Sequence, residues 1–80
     1  MNDTLETMRK EINALDETIK QALKRRFELS ESIGKYKQKH NMPVLDASRE
    51  KEILDAIDDT SIRNIYAVIL RESKARQTSE

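Results

Sequence analysis

The sequence predicts an all-α protein of three helices, one long and two shorter, that pairs with a second copy of itself. Three observations carry this. From Leu5 the apolar positions step by three and four residues without a slip, through Met8, Ile12, Leu15, Ile19 and Ala22 to Leu29, Ile33 and Tyr36. That spacing is the seam of a long helix packed against another helix. One Gly, one Pro and 4% aromatic residues in a chain of 80 suit helices and suit strands poorly. Charged residues (38%) outnumber hydrophobic ones (36%), a balance seen in disordered chains, yet here the apolar residues are few but placed in a helical register.

The first helix is expected to start at Asp3, whose carboxylate can cap, with Glu6 three residues on to complete a reciprocal box. It runs to about His40-Asn41 and stops at Met42-Pro43, because the residue before proline avoids the helical region. Gly34 inside it is either a tolerated defect or the mark of another backbone passing close by. Val44-Leu45 reads as a short extended link. Asp46 or Ser48 then caps a second helix carrying Ile53, Leu54 and Ile57 and ending in Asp58-Asp59-Thr60. The third helix is expected from about Ser61 to Gln77, with Ile62, Ile65, Tyr66, Ile69 and Leu70 as its buried stripe. No internal repeat or low-complexity linker divides the chain, so residues 1–80 read as one domain.

The dimer follows from size. Some 37 helical residues span roughly 55 Å, while a compact globule of this length has a radius of gyration of about 12 Å. Two shorter helices cannot cover such a seam, so the chain is expected to dimerise through its long helix, with the other two wrapping the partner.

Composition narrows the function classes. Fifteen basic and fifteen acidic residues cancel, leaving no net field to attract nucleic acid or an anionic membrane. The absence of cysteine, of an apolar N-terminal segment and of a bilayer-length run points to a cytosolic protein. A single His and no Cys argue against a dedicated transition-metal site.

What remains are polar residues on faces that should point inward. Arg26 occupies the seam where a leucine belongs; a guanidinium keeps its proton, and burying it unpaired is costly. Lys37 lies eleven residues on, almost three whole turns, so both project from one face about 16 Å apart. Ser73 continues the third-helix stripe, with Gln77 one turn further. Glu50 starts the inward face of the second helix with Arg49 beside it, and Arg9 flanks the seam near the far end of the first helix. Singly, each has an ordinary explanation: a solvated flank, a small core filler, a surface helix start. Together they are cations with one carboxylate and one neutral amide, the lining expected of an anion site.

One chain cannot close that site. Arg9 and Lys37 are 28 residues apart on a single helix, or about 42 Å. In an antiparallel dimer whose long helices cross near residue 20, Arg9 of one chain would reach the zone between Arg26 and Lys37 of the other. Two-fold symmetry then makes two equivalent pockets.

The run Met8-Arg9-Lys10-Glu11-Ile12-Asn13-Ala14-Leu15-Asp16, then Arg25-Arg26-Phe27-Glu28-Leu29, Ile33-Gly34-Lys35-Tyr36-Lys37 and Pro43-Val44-Leu45-Asp46-Ala47-Ser48-Arg49-Glu50 resembles the all-helical chorismate mutases. The resemblance covers essentially the whole chain, and its specificity lies in the spacing of these elements. It implies an intertwined antiparallel homodimer of three-helix chains that converts chorismate to prephenate, on the route to phenylalanine and tyrosine, without a cofactor. By resemblance, Arg26 and the partner's Arg9 would bind the two substrate carboxylates. Lys37 and Gln77 would donate to the ether oxygen, and Glu50 with the backbone near Asp46 would hold the ring hydroxyl. Arg49 and Ser73 would complete the wall, Ser73 near the ring carboxylate. Ile33, Ile69 and Lys74 fall at lining positions, where Lys74 departs from the family's apolar type. The connection between the second and third helices is also shorter than in the family, and Ser73 and Gln77 are placed across it.

The residue types suit that chemistry. In the rearrangement a carbon–oxygen bond breaks while a carbon–carbon bond forms, with no proton transfer and no nucleophile. Two arginines can hold a floppy dianion in its reactive chair, and a fixed cation with an amide can stabilise charge growing on the ether oxygen. The alternatives are an isochorismate–pyruvate lyase with the same fold and similar cations, and a non-catalytic helical dimerisation module.

Overall fold

In the computed structural model, which describes residues 4–78, three helices follow one another: α1 (Leu5–Lys39), α2 (Ala47–Asp55) and α3 (Thr60–Thr78). The element order agrees with the sequence reading; the helix ends differ, each for a local reason. The first helix begins at Leu5, and Thr4 caps it, its hydroxyl accepting the Thr7 N–H at 3.1 Å. Asp3, the expected cap, lies outside the described residues. At the other end Asn41 adopts a left-handed conformation (φ 55°), one that asparagine tolerates better than most residues. The Met42 N–H then reaches the Lys37 carbonyl at 2.8 Å and the Asn41 N–H that of Gln38 at 3.2 Å, which satisfies two carbonyls of the last turn. Pro43 follows a stop that Asn41 has already made.

Of the two candidate caps for α2, Asp46 takes the role, accepting the Arg49 N–H at 3.0 Å. The helix ends at Asp55, short of the expected Asp58-Asp59-Thr60. Asp59 instead caps α3, its carboxylate accepting from the Ile62 N–H at 2.9 Å, so α3 starts at Thr60 rather than Ser61. The tight link between them is closed by a side chain the sequence reading did not single out. Arg63 donates through Nε to the Leu54 carbonyl at 3.3 Å and through Nη2 to that of Ile57. A cation on the carbonyl end of a helix is favourable, and here it ties α2 to α3.

The third helix runs beside the C-terminal half of α1 in the same direction: Tyr66 and Ser73 meet Arg26, and Gln77 meets Gly34. The second runs antiparallel to α3, Glu50 facing Lys74 and Ile57 facing Arg63. Gly34 is where the closest approach occurs. A Cβ there would lie 2.8 Å from the Gln77 Cα, so only glycine lets the end of α3 settle on α1.

The result is long and thin, 59 × 25 × 13 Å, with a radius of gyration of 16.5 Å against about 12 Å for a compact globule. Its interior is correspondingly small: among the described residues Leu70 is the one large apolar side chain that is buried. Ile62 and Ile65, expected in a buried stripe, are 49% and 59% exposed, because α1 covers only one side of α3. Along the first half of α1, Leu5, Met8, Ile12, Leu15 and Ile19 are 46–60% exposed. No helix among the described residues is long and apolar enough to cross a membrane.

Candidate active site

Where the C-terminal half of α1, the start of α2 and the end of α3 converge, they enclose a cavity of about 400 Å³. Each helix contributes polar groups by its own periodicity. The first supplies Arg26 and Lys37 from one face, the second Asp46, Arg49 and Glu50 from its first turn, and the third Lys74 and Gln77. Leu29, Ile33, Leu45, Ile53 and Leu70 form the apolar remainder of the wall. Polar groups that converge over an apolar surface are a usual form of a small-molecule site.

The cations differ in what holds them. Arg26, half-buried, donates from Nη1 to the Ser73 hydroxyl at 2.5 Å, and its guanidinium lies 5.9 Å from the centre of the Tyr66 ring. Lys37 donates to the Val44 carbonyl at 3.1 Å, which tethers the connecting segment across the cavity mouth. Both partners are neutral, and among the described residues neither cation forms an ion pair with a carboxylate. Arg49 pairs with Glu52 at 2.9 Å on the exposed side of α2, and Lys74 pairs with Glu50 at 3.3 Å inside the cavity. Four cations against two carboxylates leave the wall with a balance of two positive charges, in a chain whose net charge is zero. Such a balance favours an anionic ligand.

Most of the residues expected at the site are therefore brought together: Arg26, Lys37, Asp46, Arg49, Glu50 and Gln77 all line the cavity. Ser73, 4% exposed, stands behind Arg26 and orients it rather than lining the wall. The short link between α2 and α3 does not prevent Gln77 from arriving, because Gly34 lets its backbone approach. Arg9 is not brought in. It is exposed, 17 residues before Arg26 on the same continuous helix, or about 25 Å away along the axis. Ser30 is a wall residue that the sequence reading passed over; it is 4% exposed and sits one turn from both Arg26 and Gly34. A small residue between a cation and a glycine at four-residue spacing was the available signal.

Residues 8–78 match the family model for chorismate mutase type II. This chain is a member of that family. Among relatives, the 4-amino-4-deoxychorismate mutase of Streptomyces venezuelae is 30% identical over 77 residues, covering 85% of this chain and 75% of that protein. The bifunctional chorismate mutase/prephenate dehydratase of Aquifex aeolicus is 40% identical over 55 residues, covering 69% of this chain. The chain spans 15% of that protein's length. A conserved hypothetical protein from Pyrococcus furiosus has the same fold, with a TM-score of 0.84 and 39% identity over 96% of this chain and 99% of that one. The cavity of this family member is built on three helices, with Arg26 and Lys37 on α1 and Gln77 on α3.

Proposed function

We propose that the chain is a single catalytic domain that converts chorismate to prephenate as a homodimer, with Arg9 of the partner subunit completing each cavity. The observation that carries this is the pair of cations on one helix face, Arg26 and Lys37, held by neutral groups only in the wall of a cavity that Gln77 also lines. Chorismate carries two carboxylates, and its rearrangement needs them held so that the side chain folds over the ring. Arg26 is suited to one carboxylate, since a guanidinium fork binds such a group in two places, and the partner subunit's Arg9 would take the other. This restraint lowers the entropic part of the barrier. As the ether bond breaks and the new carbon–carbon bond forms, negative charge grows on the ether oxygen. Lys37 has three donors, of which Val44 engages one, so it can meet that oxygen together with the Gln77 amide. Donors fixed before the reaction stabilise the transition state more than the substrate. Glu50 would accept from the ring hydroxyl, and Arg49 would close the entrance.

The homodimer is supported by the uncovered seam of α1 and by the distance of Arg9 from the cavity. The resemblance to a 4-amino-4-deoxychorismate mutase supports a second reading in which the ring substituent is an amine. The test is direct: purified protein is added to each acid, and loss of the chorismate absorbance is followed with prephenate as product. Turnover of chorismate at rates far above the spontaneous reaction supports the first reading. Turnover of the amino acid analogue alone supports the second, and pyruvate release from isochorismate would instead indicate a lyase.

A further inference from the structure

Lys74 treats its neighbour differently from every other cation of the cavity. Arg26 and Lys37 donate to neutral oxygens, and Arg49 turns outward to Glu52, whereas Lys74 neutralises an acid of the wall itself, Glu50, at 3.3 Å. The two side chains are 43% and 30% exposed, so the pair is open to whatever enters the cavity. Partly solvated ion pairs contribute little to folding. The consequence of this one is for the ligand.

We propose that Lys74, through its pairing with Glu50, makes the cavity select a substrate whose ring carries a neutral hydroxyl over one that carries an ammonium. The inference rests on the reading that Glu50 receives the ring substituent. A carboxylate offers about four lone-pair sites. With Lys74 on Oε2, Oε1 remains free to accept from a hydroxyl, and no charge conflict arises. An ammonium in the same place meets a carboxylate whose charge is already compensated and a like charge a few ångströms away. Specificity here comes from a repulsive element rather than from an added attraction. Remove Lys74, and the same Glu50 becomes an uncompensated carboxylate that pairs well with an ammonium. Because Lys74 lies four residues after Leu70 and three before Gln77, it shares their cavity-facing side of α3, and the third helix carries both the amide donor and the selecting charge.

The test compares chorismate with 4-amino-4-deoxychorismate as substrates of the wild type, Lys74→Met and Lys74→Arg. At about pH 6.5, below the ordinary range of an aliphatic amine, the amino substrate is charged. The wild type is expected to favour chorismate in kcat/KM. Lys74→Met should shift the ratio toward the amine by roughly tenfold or more, and Lys74→Arg should keep the wild-type ratio. A ratio unchanged within twofold in Lys74→Met, or moved as far by arginine as by methionine, overturns the proposal. Should the wild type turn over neither acid, the mutase reading fails by itself. The ratio of Kd values for the two acids, measured by calorimetry, then decides the selectivity: the same shifts support it, and no binding or no shift overturns it.

Discussion

Gly34→Ala is the smallest change that separates the path of the backbone from the chemistry. The new Cβ would lie 2.8 Å from the Gln77 Cα and 2.9 Å from its carbonyl carbon. Carbon atoms rest at about 3.5–4.0 Å, so the end of α3 must withdraw by roughly 0.7 Å or more. Two opposed terms act on stability. Alanine is favoured over glycine inside a helix by about 1 kcal/mol, while crowding a packed backbone costs about 1–3 kcal/mol. The net is a modest loss of about 0–2 kcal/mol. Activity should suffer more, since Gln77 moves with its backbone and active-site groups tolerate displacements of only about 0.5 Å. A loss of kcat between about tenfold and a hundredfold is expected, with KM little changed, because the amide is assigned to the transition state. The assay is chorismate turnover with thermal melting of the same samples. A Gly34→Ala variant with wild-type kcat and a raised Tm would refute the close approach and the role of Gln77 together.

Two further outcomes follow from the cavity. Arg26→Leu should remove activity by at least about a hundredfold while leaving the protein folded; a leucine fits the seam, but Ser73 loses its partner inside the protein, a cost of about 1–3 kcal/mol that offsets the gain in packing. Melting within a few degrees of the wild type is therefore expected, and retained turnover or unfolding would contradict it. Gln77→Glu should make turnover depend on acid, because an amide donates at every pH whereas a carboxyl donates only when protonated. A flat pH–rate profile between pH 4 and 8 would separate Gln77 from the ether oxygen.

Much of this architecture was readable in the residues. The seam from Leu5 to Tyr36 has a period that only a helix satisfies, and Arg26 and Lys37 share a face by arithmetic alone. Gly34 announced a close approach but not its partner, because the contact with Gln77 joins positions far apart in sequence. Helix ends were less legible. Thr4 and Asp3 are both good caps, and Asp58, Asp59 and Thr60 offer three candidates in a row, so the choice falls to which side chain meets a free N–H. Asn41 ends α1 through a left-handed turn that the adjacent proline obscured. Arg63 was invisible for another reason: its partners are carbonyls, which carry no signal in sequence. Ile62 and Ile65 were read as buried because periodicity reports that a face is apolar, not whether this chain or another one covers it.

That last point leads to the claim on which the account depends most, that each cavity draws on two chains. Arg9→Ala and Arg26→Ala should each be nearly inactive alone. Unfolded together and refolded, about half of the dimers are mixed, each with one intact and one doubly altered cavity. Activity is expected to return to roughly a quarter of the wild type. If Arg9 served its own chain, every altered chain would spoil its own cavity, and mixing would restore nothing. No recovery would contradict the shared site.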